Sequence, residues 1–256
     1  MKTNKQTICG KTAKEWAQIV SQYKTPNPAR SAFEIAVTTV PLLVLWLLAV
    51  YSYYYSYWIS LVFIIPAAFF LVRLFAIQHD CGHGTFFRKK ALNDWIGRTL
   101  GIFTMTPYEV WKRDHADHHS TSGNLAQRGH GDITTLTTSE YQALNWWGKL
   151  CYRTYRNPLV LFLIGPSYLF ILRQRLPVGR MKEFKAWVSA MGTNFFIGLM
   201  VLVLLYTIGT GAFFLVHMPI VILAGTVGVW LFYVQHQFEE THWQAGDSWN
   251  PQYAAL

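Results

Sequence analysis

Residues 35–72 read IAVTTVPLLVLWLLAVYSYYYSYWISLVFIIPAAFFLV, without one Asp, Glu, Lys or Arg. A bilayer core about 30 Å thick is crossed by about 20 apolar residues of α-helix, so this run is long enough for two crossings. Its midpoint, Tyr51 to Trp58 (YSYYYSYW), carries rings with polar tips, which favour the lipid headgroup level and suit a turn at a membrane surface. A second uncharged run extends from Ala186 to Phe238 and has its own turning point in Thr207 to Gly211 (TIGTG). The reading is all-α integral membrane, with four transmembrane helices as two hairpins. The spans are expected at residues 36–55, 58–77, 187–207 and 212–234.

Composition agrees: 52% of the 256 residues are hydrophobic and only 14% charged, against about a quarter charged in soluble domains. The 22 Lys and Arg lie in the N-terminal segment, at Arg73, and in the region up to Trp187, and neither hairpin tip carries one. By the positive-inside rule both termini and the central region are cytoplasmic. Topology and anionic lipid then account for the net charge of +9, so nucleic acid is not implied; Arg88-Lys89-Lys90 is a short juxtamembrane cluster. Cys9, Cys81 and Cys151 show no paired spacing, against a disulfide framework or zinc ribbon. The polar, basic first 35 residues do not resemble a cleavable signal.

Residues 1–256 are read as one domain, with a cytoplasmic helical cap at 78–186 and a C-terminal cap fragment at 235–256. Residues 157–172 are uncharged but short for a crossing, and Gly165-Pro166 is expected to break a helix there, which favours an interfacial or re-entrant element.

Five of the nine histidines fall into two groups, and a sixth, His236, stands alone in sequence. His79 and His83, in His-Asp-Cys-Gly-His, are four apart and share one helical face; His115, His118 and His119, in His-Ala-Asp-His-His, follow the i, i+3, i+4 pattern. His79 lies two residues past the end of span two and His236 two past the end of span four, so both emerge at one membrane depth. The polar stretch from Gly84 to Asn157 can bring the second group over them. The six form a candidate metal site, with His242 as a possible additional ligand. His217, about 28 Å from His236 along a helix, is expected to be structural, and His130 to be a loop residue. Asp80, Asp114, Asp117, Glu239 and Glu240 stand among the ligands, where they cap helices or orient imidazoles through the second ring nitrogen. Imidazole suits zinc, iron, copper and nickel alike, but six histidines in three places suggest two metals. Their position beside acyl chains favours an oxidising one. A transporter would place ionisable groups inside its spans, whereas these clusters lie beyond the span ends.

These motifs resemble the membrane fatty-acid desaturases, in particular the acyl-lipid branch. The resemblance covers most of the chain and is carried by His-Asp-Cys-Gly-His at His79, Arg-Asp-His-Ala-Asp-His-His at Arg113, Gly-Asp-Ile-Thr-Thr-Leu-Thr from Gly131 and Trp-Leu-Phe-Tyr-Val-Gln-His-Gln-Phe-Glu from Trp230. It implies two non-haem irons held by a ligand set that includes His79, His83, His115, His118, His119 and His236, with dioxygen as co-substrate. It also implies a cis double bond introduced into the acyl chain of a membrane lipid, at Δ12 or a neighbouring position. Ferredoxin or a small haem cytochrome would supply electrons, and the membrane would be a bacterial inner membrane or a plastid-type one. A hydroxylase, acetylenase or ketolase on the same scaffold is the alternative reaction. The family also carries a His-x-x-His-His box after the last span, which is not found before Leu256, although Trp249-Asn250-Pro251 resembles its approach. The expectation is therefore a truncated chain that binds iron poorly, or a catalytically incomplete metal-binding protein.

Overall fold

The computed structural model describes residues 13–21, 25–129, 133–238, 241, 243–246 and 249. The described residues are helical apart from loops and one isolated bridge, Asn124 to Gln244. The helices are α1 (Ala13–Ser21), α2 (Pro28–Tyr53), α3 (Tyr57–Gly82), α4 (Lys90–Phe103), α5 (Tyr108–Thr121), α6 (Thr138–Ala143) and α7 (Trp146–Tyr155). They continue with the helical run α8 (Val160–Arg175), then α9 (Phe184–Ala212) and, after a π-helical turn at Phe213–His217, α10 (Met218–His236).

The first hairpin starts where Asn27 accepts hydrogen bonds from the backbone N–H groups of Ala29 and Arg30 (3.0 and 3.3 Å), with Pro28 in the first turn. Pro41 and Pro66 sit inside α2 and α3, as membrane helices tolerate where neighbours take up freed backbone groups. Ala67 and Ala68 are fully buried on α3, small side chains of the kind that let packed membrane helices approach closely. Ser60 donates across the hairpin to the Ala49 carbonyl (2.8 Å). Many large apolar side chains point outward, Leu47, Val62, Phe195 and Leu202 among them; in a membrane that surface meets lipid.

Phe184–His236 forms a 53-residue helical stretch, which would measure about 80 Å if straight, far more than a bilayer. Gly209 divides it with φ 74° and ψ 165°, a conformation essentially restricted to glycine. The ends show the reversal. The start of α9 meets α5, where the Glu109 N–H donates to Ser189 Oγ (3.2 Å), and the end of α10 also meets α5, at His118. Both hairpin tips lie together, because Tyr54 donates to the Ile208 carbonyl (2.7 Å). The helices long and apolar enough to cross a membrane thus give four crossings as two hairpins. Replacing Gly209 by Ala should cost about 1–3 kcal/mol, read as a lower midpoint of unfolding in detergent.

Two expectations change. The run through Gly165-Pro166 stays helical, as π, α and π turns in succession; five-residue π spacing relaxes the ladder in which proline's missing N–H would break a bond. The bend lies earlier, at Asn157-Pro158, where α7 and α8 meet at 60°. The helices also outrun the apolar segments: α3 continues unbroken through His79 to Gly82, so the first histidine pair rides on the end of a membrane helix.

Candidate metal centre

The site lies where α3, α5 and α10 end together. Spacing places His79 and His83 one turn apart on one face, and α5 is fastened over them along its length. Tyr108, fully buried, donates to the Cys81 carbonyl (2.9 Å) and to Asp94 (3.2 Å). Lys112 pairs with Asp94 (2.7 Å) and Arg98 with Glu109 (2.5 Å). Arg180 donates to Asp114 (2.8 Å), to Asp117 and to Glu183 (3.2 Å), and Glu183 also pairs with Arg113. One guanidinium thereby joins two carboxylates on one side of α5 to the lead-in of α9.

Four imidazoles converge. His83 Nε2 lies 3.2 Å from His79 Nε2 and 3.1 Å from His115 Nε2, which is 3.0 Å from His119 Nε2. The ligand atoms of these four all fall within 4.8 Å of one another. A second convergence adjoins it: His118, 2% exposed, meets His236 with their Nε2 atoms 2.9 Å apart. The His115 and His118 rings stack at 6.1 Å between centroids, so the two groups are immediate neighbours. The i, i+3, i+4 triplet divides between them, His115 and His119 to one and His118 to the other.

Electrostatics favours lone pairs over protons. Burial and the neighbouring imidazoles push His115 down to about 3 and His119 to about 4, and burial with His79 nearby lowers His83. At neutral pH these rings are uncharged, the state a metal requires. The second nitrogens are fixed as ligating imidazoles usually are: His79 Nδ1 faces Asp80 (3.2 Å) and His236 Nδ1 the Phe232 carbonyl (2.8 Å). The donor set, four convergent imidazoles, fits a borderline metal such as iron.

Of the five carboxylates expected to cap helices or orient imidazoles, Asp80 reaches an imidazole. Asp114 and Asp117 instead bind Arg180, because Arg180 brings three donors to their side of α5. Glu239, Glu240, His242 and His130 lie outside the described residues. His217 stands apart against Trp46 and Phe213 near the far hairpin tip. The segment after α10 returns to the end of α5: the Leu125 N–H donates to the Gln244 carbonyl (2.9 Å), the Gln244 N–H to the Gly123 carbonyl (3.0 Å), and Trp249 to the Ser122 carbonyl (3.1 Å). Sequence reasoning missed Arg180, read as part of a basic membrane-flanking segment, and Trp111, which stacks on His115. The spacing of four between Trp111 and His115 was the available signal.

The pattern that defines the family described as Fatty acid desaturase matches residues 58–254. A fatty acid desaturase of Bacillus subtilis is 38% identical over 251 residues, covering 98% of this chain and 71% of the relative. An sn-1 acyl-lipid omega-3 desaturase (ferredoxin) of Synechocystis is 36% identical over 99 residues, 38% of this chain and 25% of the relative. A Delta(12)-fatty-acid desaturase of Arabidopsis thaliana is 32% identical over 107 residues, 39% of this chain and 26% of the relative. The chain thus spans most of the Bacillus protein, while its matches to the other two cover about a quarter of each.

Proposed function

The chain belongs to the fatty acid desaturase family, and from that premise we propose that it is a di-iron, dioxygen-dependent acyl-lipid desaturase that introduces a cis double bond, at Δ12 or a neighbouring position. The observation that carries the reading is the pair of adjoining imidazole convergences at the end of two hydrophobic hairpins. In it, His79, His83, His115 and His119 would hold one iron, and His118 and His236 would contribute to the second. When bound, the irons supply the oxidising power needed to remove hydrogens from unactivated methylenes using dioxygen and two electrons.

The chain's own part is to hold and to orient. Asp80 and the Phe232 carbonyl fix ring orientation, leaving the Nε2 lone pairs aimed inward. The lowered proton affinity of His115 and His119 keeps those lone pairs free at neutral pH. The apolar helices α3 and α10 end at the centre and would lead an acyl chain to it.

In this reading the cap faces the cytoplasm, where a ferredoxin or small haem cytochrome delivers electrons, and the substrate enters from the bilayer. The Synechocystis relative, named an acyl-lipid desaturase with ferredoxin, supports both assignments. The test is expression with a ferredoxin system in a host that lacks polyunsaturated lipids, followed by mass spectrometry that locates new double bonds. A new cis alkene in extracted glycerolipid is expected. Hydroxylated or ketolated acyl chains without new alkenes would overturn the desaturase assignment in favour of another oxidation on this scaffold.

A further inference from the structure

We propose that Trp111 is a positioning residue for the four-imidazole cluster, wedged in place by the absence of a side chain at Gly82; the inference rests on the metal reading above. Trp111 precedes His115 by one helical turn and so lies on the same face of α5. Its indole lies 4.8 Å from the His115 ring at an interplanar angle of 13° and 5.9 Å from the His79 ring. It therefore touches one imidazole from each of the two helices that build the cluster. A metal-binding imidazole must hold one rotation about its ring bond for Nε2 to stay aimed, and a parallel stack resists that rotation.

Gly82 completes the wedge. A Cβ there would lie 2.7 Å from Trp111 Cζ3 and 3.3 Å from Cη2, inside the van der Waals limit. The indole has little room to retreat, since His115 lies against its face and Phe75 meets it edge-on at 5.4 Å. Helix α3 runs through Gly82, so space, rather than an unusual backbone conformation, is what glycine supplies. The middle of His-Asp-Cys-Gly-His thus has a role beyond spacing its histidines: it seats the residue that aligns His79 with His115.

The test uses the full chain in detergent, with Co(II) as a spectroscopic probe of the metal site. Trp111→Ala should weaken Co(II) binding by about 10–100-fold, as removal of orienting partners of metal ligands does, and alter the shape of its visible bands. Trp111→Phe, which keeps an aromatic face, should restore most of the affinity. Gly82→Ala should reproduce the Trp111→Ala spectrum with the indole still present. The double variant should be no worse than Trp111→Ala alone, because the clash is gone. Unchanged affinity and bands in Trp111→Ala would overturn the proposal. So would variants that lower the melting temperature of the metal-free chain while the folded fraction keeps the wild-type spectrum. A wild-type chain that takes up no Co(II) would remove the metal reading itself, and this inference with it.

Discussion

Replacing His115 by Ala should reduce metal affinity by more than about 100-fold, beyond the loss caused by removing an orienting neighbour, and abolish new double bonds in lipid. His115 is the hub of the larger convergence, with its Nε2 3.1 Å from that of His83 and 3.0 Å from that of His119. Its removal leaves His79 and His83 on α3 with His119 as the remaining donor from α5, so the site loses a ligand and the join between helices together. The fold should survive, since alanine is the strongest helix former and α5 stays fastened by Tyr108, Lys112 and Arg180. Helical circular dichroism should therefore match the wild type while bound iron falls. His217→Ala is the control, because that histidine lies by the far hairpin tip; it should keep its iron. Wild-type iron content and product in His115→Ala would remove the four-imidazole centre from the reaction.

How much of this was legible in the chain follows from the range of each interaction. The hairpins could be read because the cost of burying charge in hydrocarbon empties whole segments of charged residues, and the resulting silence from Ile35 to Val72 is local and long. The histidine faces could be read because a helix fixes which side chains share a side within five residues. Where a face points is a different matter: the division of His115, His118 and His119 between two convergences depends on how α5 lies across α3 and α10, and no spacing contains that angle. Asp114 and Asp117 show the same limit. Their partner, Arg180, is 66 and 63 residues away, in a segment whose positive charge had a sufficient explanation in membrane topology. Gly165-Pro166 misled for a local reason, since helix-breaking rules assume four-residue hydrogen bonding and α8 uses five on either side of the pair.

That long-range clamp carries the second large effect. Arg180→Ala should lower both the melting temperature of the metal-free chain and the affinity for metal, the latter by about tenfold, as expected for a group that orients ligands without touching the metal. The Arg180 side chain is 17% exposed and serves Asp114, Asp117 and Glu183 at once. The carboxylates are more open to water, which screens each pair separately; the larger loss is geometric. Asp114 and Asp117 flank His115 and His118 in sequence, so freeing them loosens the turn of α5 that feeds both convergences. Arg180→Lys should recover only part of the effect, because one ammonium lacks the planar fork that reaches three acceptors. The measurement is Co(II) titration alongside thermal unfolding for the wild type, Ala and Lys forms. If Arg180→Ala melts earlier yet binds Co(II) with wild-type affinity, the clamp serves the fold alone, and α5 owes its alignment to Tyr108 and Lys112.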